Sequence, residues 1–243
     1  MSDVASTDRQ RDFYQTREHD HLQVRDDDLY AKKLASELAA HAGIQPHHRV
    51  LEIGAGFGRF TFRLLEHCGS VVALDLSERV LEDLRSARDA RGIPEERCRT
   101  LCADVTKLPD DTGPFDFVVG FFILHHLPDV PAAIAALSHC VASGGQAVFL
   151  EPNRRNPLFL AQVMFCQDMT WREEKGMFQL SARKVETAFR AAGLRDRETR
   201  RFGFFPPQVF NRFPAARVAE RRIEASGFLR PALPFLLLSA ERP

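Results

Sequence analysis

The stretch Glu52-Ile53-Gly54-Ala55-Gly56-Phe57-Gly58 puts a carboxylate two residues ahead of three alternating glycines. An apolar run from Val50 leads in, and apolar residues at helical spacing, Phe60 to Leu65, lead out. Strand, glycine turn and helix make the nucleotide-binding corner of an open α/β sheet. Glycines let the backbone approach a ligand closely and take positive φ where the turn needs it. The acid narrows the choice: it would repel a dinucleotide pyrophosphate and suits a ligand with an ammonium group. Two further places can do chemistry. His125 and His126 follow the apolar run Phe115 to Phe121, and Glu151 ends the run Gln146 to Leu150. A neutral imidazole there can take a proton from a substrate. Glu151 can orient a histidine, ligate a metal or bind a substrate hydroxyl. The plainer readings are a tight turn, a packed histidine at a helix start and a solvated strand-end acid.

These residues depend on elements whose signals are regular. Asp28 caps a helix over Leu29 to Ala42, stopped by Gly43. Strands are expected at Arg49–Ile53, Val71–Asp75, Arg97–Cys102, Phe115–Phe121 and Gln146–Glu151. Helices are expected at 58–67, from the Ser77 cap to about Gly92, from Pro131 to Val141, and from the Ser181 cap to Ala192. Arg197–Phe204 and Pro234–Ala240 have strand character, with a helix over Pro214–Ser226 between them. Strands alternating with helices give a parallel sheet with right-handed crossovers.

The motifs, in order, resemble those of the class I S-adenosylmethionine-dependent methyltransferases, small-molecule group. Glu52 to Gly58 is similar to the family's first motif. Val71-Val72-Ala73-Leu74-Asp75 is similar to its second strand with a ribose-binding acid, and Cys102-Ala103-Asp104-Val105 to its adenine-contacting segment. Phe115 to Asp129, with His125-His126-Leu127-Pro128-Asp129, resembles the fourth strand and the segment after it. Ser143-Gly144-Gly145 and the run to Glu151 resemble the fifth, although Ser143 replaces the family's usual proline. The likeness is strong over residues 29–151.

The resemblance implies a doubly wound seven-stranded sheet, Rossmann-like, with an antiparallel last strand. It implies one domain over 1–243, with a helical cap to 45, a cofactor-binding core over 46–151 and substrate-covering segments beyond. S-adenosylmethionine is the implied cofactor. Glu52, Gly54, Ala55 and Gly56 would take its methionine moiety, Asp75 the ribose hydroxyls, and Asp104, Val105 and Leu76 the adenine. Phe121 would line the same site, and Tyr14 resembles an N-terminal aromatic that closes over the cofactor. His125 or His126 would assist deprotonation of the acceptor, with Glu151 as partner. O-methylation of a hydrophobic small molecule is expected, with N- or C-methylation, or binding of the cofactor without turnover, as alternatives. An NAD-dependent oxidoreductase is disfavoured by Glu52 and the His-His-Leu-Pro-Asp segment.

Composition sets the outer limits. The 243 residues are enough for one domain with a substantial core. Lys+Arg and Asp+Glu are equal at 33 each, which argues against a nucleic-acid binder or macromolecule methyltransferase. The balance is uneven: net −8 over residues 1–151 and net +8 over 152–243. Solvated helix faces are the ordinary explanation, and an anionic substrate or membrane surface the other. No apolar run is long enough for a transmembrane segment, and residues 1–10 have no apolar signal core. Five cysteines without C-x-x-C spacing suggest free thiols in a cytoplasmic protein. Eleven of 20 Phe lie after residue 151, among them Phe202, Phe204, Phe205, Phe210 and Phe213; with Met164, Phe165, Trp171 and Phe178 they hint at a bulky apolar acceptor.

Overall fold

The computed structural model describes residues 24–109, 111–156 and 180–243. Met164, Phe165, Cys166, Trp171, Phe178 and Tyr14 lie outside the described residues. The chain forms α1 (Leu29–Ala42), β1 (Arg49–Ile53), α2 (Thr61–Leu64), β2 (Ser70–Asp75), α3 (Glu78–Ala90), β3 (Cys98–Cys102), β4 (Phe115–Phe121), α4 (Val130–Cys140) and β5 (Val141–Pro152). Further along come α5 (Ala182–Ala191), β6 (Arg195–Asp196), β7 (Arg200–Phe202), α6 (Pro207–Arg212), α7 (Pro214–Glu224) and β8 (Phe235–Glu241).

The sheet order is β3-β2-β1-β4-β5-β8-β6, with β7 also paired to β8. β1 to β5 pair in parallel, and β8 runs antiparallel to β5, as expected. The sixth strand differs from expectation. It is broken into β6 and β7, both on the outer edge of β8, so eight segments fill seven strand positions.

Side chains of β1 alternate between the two faces of the sheet. Val50 packs with α1 and α3 residues such as Leu34, Leu38, Leu81 and Leu84. Leu51 and Ile53 pack on the other side with Ile134, Leu137, Val185 and Phe189 of α4 and α5. Helices therefore cover both faces, and the crevice at the C-terminal ends of β1, β2, β4 and β5 is held from two sides.

The caps follow local chemistry. Asp28 accepts from Ala31 N at 3.1 Å, and Ser181 from Lys184 N at 3.3 Å. Gly43 ends α1 in the left-handed region, φ 78°. Asp129, unrecognised in the sequence, caps α4 through Ala132 N at 2.9 Å. Two expectations need correction. The helix expected over 58–67 is one turn, because Gly58 has φ 89° and right-handed helix starts only at Thr61. Ser77 holds the cap position of α3, but its hydroxyl makes no cap bond, and its N–H donates to Asp75 Oδ1.

Candidate functional site

The glycine turn leaves β1 at Gly54, φ 67°, where any side chain would collide: a Cβ would lie 2.6 Å from Ile123 Cδ1. The turn and the segment after β4 are thus in direct contact. Gly56, φ 53°, is different, since a Cβ there would meet nothing within 4 Å. It borders open space, where a ligand can approach the backbone. Ala55 is buried, and its N–H donates to Leu74 O at 3.0 Å, which ties the turn to β2.

Asp75 sits where β2 ends. Its carboxylate accepts from Gly56 N at 2.9 Å and from Ser77 N at 3.0 Å, so it bridges the glycine turn to the next turn. Burial raises its pKa, and the backbone N–H groups of Ser77 and Gly56 oppose that. Ser77 Oγ is buried without a partner. A carboxylate with remaining lone pairs beside an unpartnered hydroxyl fits a vicinal diol. Leu76 is half-buried beside it, and Ala103 N donates to Asp75 O at 3.1 Å, which brings β3's exit alongside. There Asp104 Oδ1 accepts from Thr106 N and Oγ1 at 2.9 and 2.8 Å, and Val105 is buried in the core. The segment is a fixed turn suited to the edge of a planar base.

Glu52 lies deeper than the sequence suggested. It is 1% exposed, and Thr61 Oγ1 donates to it at 2.6 Å. Burial pushes its carboxyl up to about 8, the Thr61 bond pulls it back, and the charge of Asp75 adds to the rise. Glu52 is therefore mostly neutral at pH 7, and a nearby cation would favour its charged form. Because the folded value exceeds the unfolded one, this group's contribution to stability is full below about pH 4.5 and is lost as pH rises through 8. At about 1.4 kcal/mol per unit the loss approaches ~5 kcal/mol. Glu52→Gln keeps an acceptor for Thr61 and has no such loss. Its melting temperature is expected to exceed the parent's at pH 9 and to match it near pH 4.5. Parallel curves for the two proteins across that range would refute the assignment.

The second half of the site is at the ends of β4 and β5. Glu151 is fully buried, and one of its oxygens accepts from Ile123 N at 3.0 Å and Leu124 N at 2.8 Å. The other meets His125 Nδ1 at 2.6 Å. One carboxylate thus holds the 3-10 turn Leu124–His126 and the ring on it. With Nδ1 as the donor to Glu151, Nε2 is the basic nitrogen. His126 lies against His125, ring centroids 4.0 Å apart. Burial, and then the positive charge that the His125 ring carries once protonated, push His126 down to about 3, so it stays neutral over the working range. The structure brings His125 and Glu151 together as expected, while His126 rests against the His125 ring.

Aromatic rings join the two halves. Phe121 stacks on Phe60 at 4.2 Å and 9°, and Phe122 lies 5.5 Å from Phe235. Phe122 has φ 54°, a strained backbone state for a bulky side chain. Its N–H donates to Leu150 O at 2.8 Å, which fixes β4's end against β5. Of the rings expected in an acceptor wall, Phe202 and Phe210 are core, and Phe213 is 55% exposed. Phe60, Phe235 and Thr61 were missed, since nothing in their spacing marks them; only the folded chain puts them here.

The fold is the doubly wound sheet of the methyltransferase structures it resembles, with the two candidate half-sites at its C-terminal edge. Residues 50–145 match the family model described as a methyltransferase domain. The ubiquinone/menaquinone biosynthesis C-methyltransferase UbiE of Cupriavidus necator is 31% identical over 115 residues, 46% of this chain and 46% of that protein. The phosphatidylethanolamine N-methyltransferase of Cereibacter sphaeroides is 28% identical over 133 residues, 54% of this chain and 62% of the relative. The chain thus spans about half the length of the curated relatives it matches. Geranyl diphosphate C-methyltransferase from Streptomyces coelicolor A3(2) shares the fold, with TM-score 0.65 and 15% identity over 98% of each chain.

Proposed function

We propose that this protein is an S-adenosylmethionine-dependent methyltransferase acting on a hydrophobic small molecule, with oxygen as the accepting atom. The observation that carries this reading is the Asp75 clasp across Gly56 and Ser77, on the same sheet edge as the Glu151–His125 pair. The cofactor supplies an electrophilic methyl group on a sulfonium. Asp75 would hold the ribose diol, Asp104, Val105 and Leu76 the adenine, and the Gly54–Gly56 backbone the methionine end. Glu52 would gain its charge as the ligand's ammonium arrives. Tyr14 would close over the cofactor from the N-terminal side. Phe60, Phe121 and Phe122 would exclude water from the transfer path, and His125 would take the acceptor's proton through Nε2 while Glu151 keeps the ring in place. Positioning and desolvation supply the rest of the rate, because sulfonium alkylation needs little further activation.

The relatives' names support a small-molecule acceptor, and C- and N-methylation stay as the alternatives to oxygen. We place the whole chain in one catalytic domain, because β6, β7 and β8 complete the sheet begun by β1 to β5. Among the described residues no helix is long and apolar enough to cross a membrane. A cytoplasmic enzyme with no nucleic-acid substrate is the reading that the composition favours.

Calorimetry tests the cofactor assignment. The protein should bind S-adenosylhomocysteine and show no heat with NAD or NADP. Asp75→Ala should weaken binding by about 1.5–3 kcal/mol, the range for a lost charge-assisted hydrogen bond, or roughly 10–150-fold in Kd. Unchanged affinity would remove Asp75 from the ribose site, and tight NAD binding would overturn the cofactor itself.

A further inference from the structure

We propose that the face built by α7 and the loop after it docks on an anionic lipid surface. The stretch 205–232 carries five arginines, Arg212, Arg217, Arg221, Arg222 and Arg230, and only two acids, Glu220 and Glu224. Both acids point away from solvent. Lys33 of α1 pairs with Glu220, and with Glu224 at 2.8 Å. Glu220 also accepts from Phe204 N and Phe205 N, both at 2.7 Å, and Glu224 from Gly203 N at 2.7 Å. The inward turn is helical geometry: Ala216 and Glu220 are the buried residues of α7, one turn apart.

The opposite side of α7 is left with Val218, 55% exposed, and with Arg221 and Arg222 three and four residues on. No described carboxylate lies within salt-bridge distance of Arg212, Arg217, Arg221 or Arg222. Phe213 precedes the helix and is 55% exposed; Phe228 follows it and is 91% exposed. Unneutralised arginines interleaved with exposed apolar side chains are the composition of a helix that lies in a membrane interface.

A second feature adjoins the same face. A cavity of about 330 Å³ is lined by the cations Arg200, Arg201 and Arg230, with Glu198 and Glu224 also in its wall. Arg200 is paired with Glu37 at 2.6 Å, and Arg230 only loosely with Glu198 at 3.6 Å. Arg201 has no described carboxylate within that distance, and the three arginines outnumber the two glutamates of the wall, which leaves one cation for a lipid phosphate. The face is also tied to the candidate active site. Asn153 Nδ2 donates to Pro231 O and Leu233 O at 3.0 and 2.7 Å, and Asn156 Nδ2 to Ala232 O at 2.6 Å. Asn153 lies two residues beyond Glu151, so a docked surface would meet the crevice edge through a rigid link.

This inference stands apart from the methyl-transfer reading, since docking needs neither cofactor nor acceptor. The test is sedimentation of the full chain with phosphatidylcholine vesicles, with and without about 30% phosphatidylglycerol, at two salt concentrations. Anionic vesicles should bind the protein and neutral ones should not, and raising KCl from about 0.1 to about 0.5 M should release it. Arg221→Glu with Arg222→Glu should lower partitioning by at least about tenfold, at roughly fivefold per cationic residue. Phe228→Ser should lower it severalfold, with the melting temperature of both variants unchanged because all three side chains are exposed. Equal binding to neutral vesicles, no binding to either, or an unaffected charge-reversal variant would each overturn the proposal. So would duplex DNA displacing the protein from vesicles at stoichiometric amounts, which would assign the arginines to nucleic acid.

Discussion

His125→Ala is expected to lower turnover by about 10²–10⁴-fold while S-adenosylhomocysteine affinity stays within about threefold, the pattern of a lost general base. The geometry separates the two histidines. Glu151 meets His125 Nδ1 at 2.6 Å, so in the proposed mechanism Nε2 would be the base. His126, held near 3 by burial, is too weak a base to accept a proton at neutral pH. His125→Ala should therefore lose turnover, and His126→Ala should retain most of it. The two roles proposed for Glu151 differ in their readouts. As a positioning residue it affects kcat more than KM, and Glu151→Gln should show that split. As the acceptor for Ile123 N, Leu124 N and His125 it holds a buried turn. Glu151→Ala should thus lower stability by about 3–5 kcal/mol, because it strands buried polar partners. If His125→Ala and His126→Ala both stay within about threefold of the parent, base catalysis is excluded, and positioning accounts for the transfer.

Lys33→Met should be the most destabilising single change on the side of the sheet covered by α1. Lys33 is 15% exposed and Glu220 1%, so their pair is desolvated. The Lys33 ammonium also sits over the rings of Phe202 and Phe210, 5.5 and 5.3 Å from their centroids. Removing the cation leaves a buried carboxylate with two backbone N–H donors and no counter-charge, at a cost of about 3–5 kcal/mol. For a chain of this size that is a fall of roughly 10 °C in Tm. Adding Glu220→Gln should recover a large part, because the neutral amide removes the unpaired charge and its oxygen can still accept from Phe204 N or Phe205 N. A Lys33→Met variant that melts within about 2 °C of the parent, or a double variant less stable than the single one, would contradict this account.

The sequence by itself determined the parallel strands β1 to β5 and the order of the candidate half-sites. Short apolar runs such as Val50–Ile53 and Val71–Leu74, set between helical segments, read as buried parallel strands, and their exits carry Glu52 and Asp75 because ligands bind where such strands end. Caps were legible for the same local reason: Asp28, Ser181 and Gly43 act on backbone groups within a few residues. What tertiary structure decided involves partners distant in the chain. The depth of Glu52 depends on Thr61 closing over it and on two helices sealing that face, so its neutral state could not be read from its neighbours. Glu151 had three candidate roles in sequence; 26 to 28 residues separate it from His125, Leu124 and Ile123, and only the β4–β5 register brings them together. Lys33 and Glu220, 187 residues apart, gave no sequence signal, because a charge on a helix reads as solvent-facing until another helix covers it. Periodicity and caps are local and survive in one dimension. Burial, ionisation state and the choice among polar partners depend on which surfaces meet, and that is fixed only when the helices pack on the sheet.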